Sequence, residues 1–277
     1  MHVRHGKRLL NSLSGKIGLC LVGLLAAAAL LSPALCGDPA RQTLGVLQAP
    51  SSKHLLGAND VGQDIFSRLL CGAQTSLIVA VCAGLLSTTL SAFVGMTAAL
   101  IGGPYERAVM RLVDALLVIP GLVVAILIAA FIQPGLWGLI AVISLLHWAG
   151  GARVVRAQTL HLMQHEHVEA ARTFGAGRLH LVLRHIVPDL GPILLVSFVH
   201  RARMAVFMEA GLAFIGIADP SMVSWGTMIQ NALGFYYLPA WKWWLLPPGL
   251  CLSLLILSFV FTGHALESVM EPRLRDA

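Results

Sequence analysis

From Ser76 to Ile101 the chain carries no charged side chain, and from Ile17 to Leu35 it carries none either. Each run is long enough to cross the hydrocarbon core of a bilayer, which takes about 20 apolar residues as a helix. With no water in lipid, each spanning backbone must satisfy its own N–H and C=O groups, and a helix does so. Composition points the same way: 57% of the residues are hydrophobic and 12% are charged. So few charges cannot cover the surface of a soluble fold. Disorder, collagen and a disulfide scaffold need far more polar, Gly/Pro or Cys residues. The net charge of +6 is therefore expected in loops facing the cytoplasm, with no nucleic acid as partner.

The predicted fold class is an all-α polytopic membrane protein with six transmembrane helices. The spans are Ile17–Leu35, Ser76–Ile101, Ala115–Ile132 with Pro120 inside, a short Leu136–Trp148, a stretch from after Pro188 to about Ile217, and Leu245–Ala265. The basic start (Arg4, Lys7, Arg8) and Ser32-Pro33-Ala34 look like a cleaved signal. The apolar run is longer than the usual signal core of about 7–15 residues, so an uncleaved first span is expected. With the N-terminus inside, 13 of the 19 Lys and Arg residues lie on inner segments, four lie outside, and Arg201 and Arg203 fall within the fifth span. This predicts cytoplasmic N- and C-termini. None of the five cysteines forms a CxxC pair. Cys36 and Cys71 both fall on the outer side, which leaves a disulfide open.

Two polar segments exceed simple connectors: an outer one, Gly37–Thr75, and an inner one, Gly150–Asp189. In the inner segment Val154–Phe174 has helical apolar spacing, Gly175 and Gly177 suit a helix stop, and Leu179–Ile186 begins a second helix ended by Pro188. Ala170 and Ala171 let a partner's backbone come close. Two readings stay open on physics alone: a helix inserting into a groove on another protein, or an amphipathic helix lying on the headgroups.

Glu169-Ala170-Ala171, then Gly175, then Ile186-Val187-Pro188 resembles the EAA signature of permease subunits in ATP-binding-cassette (ABC) importers. The resemblance continues in order along the chain. It takes in Leu55-Leu56-Gly57, Gly62 and Asp64–Leu70; Gly102-Gly103, Met110–Asp114 and Ile119-Pro120; Ala152–Arg156; Glu209–Leu212, Phe214, Gly216 and Trp225-Gly226; Pro248-Gly249; and Glu271–Leu274. Together these are similar to the C-type permease subunit of the dipeptide/oligopeptide/nickel group. Departures are Ala58-Asn59 in place of Thr-Asp, Gln63 in place of Arg, and His264 in place of an acid.

The resemblance implies a six-span permease (MetI-like) fold, with residues 1–75 as first span and outer loop. Residues 76–277 would be a five-helix core carrying the coupling loop at 150–189. The chain would form half of a translocation path for peptides, nickel or a metal chelate across a bacterial inner membrane. Implied partners are a homologous permease subunit (as a heterodimer), two cytoplasmic ATPase subunits, an extracytoplasmic substrate-binding protein and membrane lipid. GxxxxGK[ST], HExxH and GxSxG are all absent, so no catalytic residue is expected and ATP and Mg would be bound by the ATPase.

Expected coupling residues are Glu169, Ala170, Ala171, Gly175 and Pro188. Arg201, Arg203 and Glu209 are expected along the path, since a charge in a span costs about 2.5–3.5 kcal/mol unless it faces a cavity or partner. Two path arginines would favour a cargo with an anionic part. Asp60, Asp64 and Arg68 are expected to meet the binding protein. His161, His165 and His167 form a cluster that reads as a solvated helix face or a metal site, and no metal is assigned to it. The aromatic group Trp241–Trp244 reads as an interfacial belt. Rival classes are a secondary transporter, which predicts inverted repeats, and an intramembrane enzyme, which predicts paired catalytic groups.

Overall fold

The computed structural model describes residues 12–36, 39–42, 44–217, 219 and 221–270. Arg4, Lys7 and Arg8, and the tail motif Glu271–Leu274 with Arg273 and Arg275, lie outside the described residues. Helices dominate, and the only β pairing among the described residues is two isolated bridges in the outer loop. In order they are α1 (Leu13–Leu35), α2 (Ile65–Ile101), α3 (Gly103–Val118), α4 (Gly121–Ile132), α5 (Leu136–Leu162), α6 (Glu166–Thr173), α7 (Arg178–Leu181), a π turn (Val182–Ile186), α8 (Val187–Phe214), α9 (Trp225–Leu233), α10 (Trp241–Trp244) and α11 (Leu246–Met270).

Five helical segments are long and apolar enough to cross a membrane, and the pair α3–α4 adds a sixth if it counts as one span. That pair replaces the single third span, Ala115–Ile132 with Pro120 inside, expected from sequence. It bends by 77°. Pro120 has no N–H and pushes Ile119 out of the helical region, to φ −82° and ψ 125°. The fourth span is longer than expected, because α5 runs 27 residues to Leu162. The fifth also begins earlier. Pro188 does not end a helix; it sits in the first turn of α8, and the π turn before it carries the chain through. Val187 N–H bonds back five residues to Val182 there, so the ladder is already shifted where the proline's missing N–H would interrupt it.

α2 is the centre of the bundle, packing most extensively against α5 and next against α8. It begins eleven residues before the expected span start, because Asp64 caps it, accepting from Ser67 N–H at 2.8 Å. It runs unbroken across position 75, so the division expected there falls inside a helix. Its buried face is a ladder of small side chains: Gly72, Ser76, Ala80, Gly84, Thr88, Ser91, Gly95 and Ala99. In lipid, helices associate through close packing and interhelical hydrogen bonds, which small residues permit. A Cβ on Gly95 would sit 2.5 Å from the Ala152 carbonyl of α5, and one on Gly84 would sit 3.1 Å from Ala202 N of α8. Ser91 Oγ reaches the Trp148 carbonyl of α5 at 2.7 Å. Large apolar side chains such as Leu30, Val118 and Phe131 remain exposed on the outside, the surface that lipid requires.

The aromatic group differs in part from the expected interfacial belt. Trp244 is buried against Phe235, with ring centroids 5.2 Å apart, while Tyr236 and Tyr237 stay exposed. Trp225 is also core, and its Nε1 donates to the Leu69 carbonyl at 2.9 Å. Gly95→Ala is expected to cost about 1–3 kcal/mol by overpacking, and Gly23→Ala, which meets open space, to cost little. Thermal unfolding of the two variants in detergent checks this.

Candidate coupling surface and the polar residues of the spans

Leu162 and Val168 are both buried. Six residues apart, they could not face the same side of one continuous helix. The chain resolves this by ending α5 at Leu162, turning through Met163–His165, and starting α6 at Glu166. The single helix expected over Val154–Phe174 is therefore two. Val168 points inward and lines a small cavity with Leu100, Met163, Leu181 and Ile186. His167 Nε2 meets Asp189 Oδ2 of α8 at 3.1 Å.

Glu169, Ala170 and Ala171 all lie on α6, with Glu169 and Ala170 exposed. The helix stops sharply. Ala176 N–H donates to the Ala171 carbonyl at 3.1 Å, and Gly175 N–H donates to the Arg172 carbonyl at 3.0 Å. With Gly175 at φ +84°, this is a Schellman C-terminus, which favours glycine at that position. The spacing from Glu-Ala-Ala to Gly thus follows from helix geometry. Pro188 lies at the start of α8, one residue from the Asp189 contact. Sequence reasoning missed Phe174, which was placed on the apolar face of the expected helix. It is 90% exposed. Its position next to the terminating glycine was the available signal.

The support beneath α6 is braced by two ion pairs. Arg153 pairs with Asp114, and Arg156 pairs with Glu106, each tying α5 to α3. Three motif residues, Asp114, Arg153 and Arg156, pair here with each other or with Glu106 across 39 and 50 residues of sequence. Their neutralisation lets α5 continue as a helix through a segment that reads as loop.

The three charges expected along a path separate. Arg201 is buried, in correction of that expectation. Its Nη1 donates to the Ser197 carbonyl at 3.1 Å, and a Cβ on Gly151 would lie 1.5 Å from its Nη2. The guanidinium fills the space that glycine leaves where α2, α5 and α8 meet. Glu209 is fully buried beside Ser224, at the foot of α9. Neither residue presents its side chain on the surface of the described bundle. Arg203 is half-exposed and meets His200 Nδ1 at 3.1 Å.

At the outer loop Asp64 is occupied as the α2 cap and with His54, whose Nδ1 lies 3.2 Å away. Arg68 Nη1 donates to Gln63 Oε1 at 2.7 Å and to the Pro39 carbonyl at 3.3 Å. Both therefore hold the loop together, and Asp60 lies close enough to Arg68 to interact with it electrostatically. Asn59 Nδ2 donates to Gln63 Oε1 at 2.8 Å. Two departures from the family pattern thus meet in one contact, where a neutral Asn–Gln pair stands in place of Asp and Arg. Among the described residues no three His, Cys, Asp or Glu side chains are placed to hold a metal ion. His161 and His165 do meet, Nε2 to Nε2, at 3.4 Å.

A bundle of membrane-crossing helices with a short exposed helix braced at one end is the architecture of a polytopic membrane protein. The family model described as "Binding-protein-dependent transport system inner membrane component" matches residues 87–276, and the chain belongs to that family. It is 35% identical over 273 residues to a putative peptide permease protein of Brucella ovis, covering 98% of this chain and 90% of that one. It is 34% identical over 272 residues to a putative peptide transport system permease protein of Brucella suis, covering 97% and 91%. It is 31% identical over 262 residues to the oligopeptide transport system permease protein OppC of Bacillus subtilis, covering 94% and 85%. The chain is a permease subunit of an ABC importer, a multi-pass inner-membrane protein and not itself an enzyme. Membership implies partner ATPases and a substrate-binding protein.

Gly151→Ala and Arg201→Ala are expected to be strongly coupled, by about 0.5–3 kcal/mol, because the guanidinium is the nearest obstacle to the new methyl, with Ser91 Oγ at 2.6 Å the next. A double-mutant cycle on unfolding midpoints measures this.

Proposed function

We propose that this subunit provides one half of a peptide path, pairs with a homologous permease subunit as a heterodimer, and docks one of two ATPase subunits through α6. The N- and C-termini then lie in the cytoplasm, as does α6, and the loop before α2 faces the binding protein. ATP and Mg are bound by the ATPases. The observation that carries this reading is α6 itself. It presents Glu169, Ala170 and the 90% exposed Phe174 at a glycine-terminated end, while Val168 and the His167–Asp189 contact hold it to the bundle. An exposed aromatic beside small residues suits a groove on a protein partner, where such side chains act as anchors.

The names of the relatives, two peptide permeases and an oligopeptide permease, support peptides as cargo over nickel or a metal chelate. With Arg201 buried, Arg203 is the arginine of the fifth span left to face the path. Asp60 remains a proposed contact for the binding protein, and Asp64 and Arg68 contribute by shaping that loop.

Ala171→Arg and Gly175→Asp are each expected to reduce ATP-driven peptide uptake at least about tenfold, the effect of about 1.4 kcal/mol of lost coupling. Uptake into proteoliposomes holding the complete importer is the readout, with ATPase co-purification measured alongside. Full uptake with normal ATPase association in both variants contradicts the docking role.

A further inference from the structure

Where α1 ends, it lies antiparallel against the first turns of α2. Ser32 Oγ donates to Gln74 Oε1 at 3.2 Å. One turn further along α1, Cys36 Sγ donates to the Ser67 carbonyl at 3.1 Å. Ser67 is one helical turn before Cys71, so Cys71 projects from the same face of α2, one turn along. The Cys71 thiol lies close enough to Cys36 to act on it electrostatically. Each residue is half-buried, and all five cysteines are in the thiol form in this structure. The other three, Cys20, Cys82 and Cys251, lie within helices α1, α2 and α11.

We propose that Cys36 and Cys71 form a disulfide in the mature importer, pinning the end of the first span to the start of α2 and closing the outer loop into a covalent ring. This rests on the proposed orientation, in which both residues face the extracytoplasmic compartment, where disulfides persist. The oxidant is a disulfide donor of that compartment, a protein or small-molecule dithiol in its oxidised form. The Cys71 thiolate attacks one donor sulfur, and the other leaves as a thiolate. The Cys36 sulfur then attacks the Cys71 sulfur of the mixed disulfide, losing its proton and expelling the remaining donor thiolate. Two protein thiols are oxidised by two electrons, and one donor disulfide is reduced to two thiols. Burial first, and the adjacent Cys71 thiol second, push the Cys36 thiol up to about 12. Once packed it is a poor nucleophile, so the exchange belongs to the stage when the outer loop is folding.

The bridge would act on the loop that the binding protein meets. Between Cys36 and Cys71 lie the Asn59–Gln63 contact, the Arg68 bonds to Gln63 and Pro39, and two positive-φ glycines seated on backbone. A Cβ on Gly57 would lie 2.1 Å from the Gln48 carbonyl, and one on Gly62 would lie 2.4 Å from the Leu44 carbonyl. A ring closed around such a loop restricts its unfolded alternatives.

The test uses the wild-type chain in its own membranes, quenched in acid and tagged with a mass-shifting maleimide before or after reduction. Three tags without reduction and five after it are expected, with a Cys36–Cys71 peptide in the unreduced digest. Cys36→Ser and Cys71→Ser should each take four tags under both conditions. Five tags on the unreduced wild type overturn the proposal. Orientation is read separately, with Ser52→Cys in a Cys36→Ser, Cys71→Ser background probed by an impermeant maleimide on intact cells. Labelling of Ser52→Cys from outside together with five wild-type tags means the bridge alone is wrong. Absence of that labelling overturns the orientation and the proposal with it.

Discussion

The close approach of α5 and α8 to the small-residue face of α2 is the contact on which the rest depends. Bilayer lipid offers no hydrophobic drive for helices to associate, so backbone proximity and a few interhelical hydrogen bonds must supply it. Gly84, Ser91 and Gly95 make that proximity possible along one line. The same line sets the place of Gly151 and hence the pocket that takes the Arg201 guanidinium. At one end of it, Arg153 and Arg156 reach Asp114 and Glu106 and tie α5 to α3.

That construction gives a route for mechanical coupling. α6 is joined to α5 by a short turn and to α8 by His167 and Asp189, and Val168 anchors it between them. A displacement of α6 is therefore passed to two membrane-crossing helices at once, and both lie against α2. Packed helices of this kind move as bodies, which suits a protein that alternates between two arrangements. The outer loop, tied by Asp64, Arg68 and Asn59, sits at the far end of α2. On the proposed function, both ends of one central helix carry a surface for a partner.

Charge-free runs made α1, the body of α2 and α11 legible from sequence, because lipid imposes a length and a composition that a single chain displays locally. The EAA spacing was legible too, and Gly175 proved to be the residue that ends α6. Features set by distant residues were not legible. Arg153 and Arg156 read as loop because their partners lie 39 and 50 residues away. Arg201 read as path-lining because its burial depends on Gly151 and Ser91 in two other helices. Pro120 announced a break but not a 77° bend. Pro188 read as a stop because a π turn leaves no mark in composition. Phe174 read as the last residue of one helical apolar pattern, because nothing in composition marks the break at Met163–His165.

The central claim is that α6 is the contact through which the ATPase acts on this subunit. Cross-linking from Ala170→Cys, in a chain whose native cysteines are replaced by serine, tests it most directly in membranes holding the complete importer. The account predicts an adduct with the mass of permease plus ATPase, whose yield changes when ATP is added. An importer that still takes up peptide while Ala170→Cys gives no ATPase adduct, with or without ATP, would contradict it.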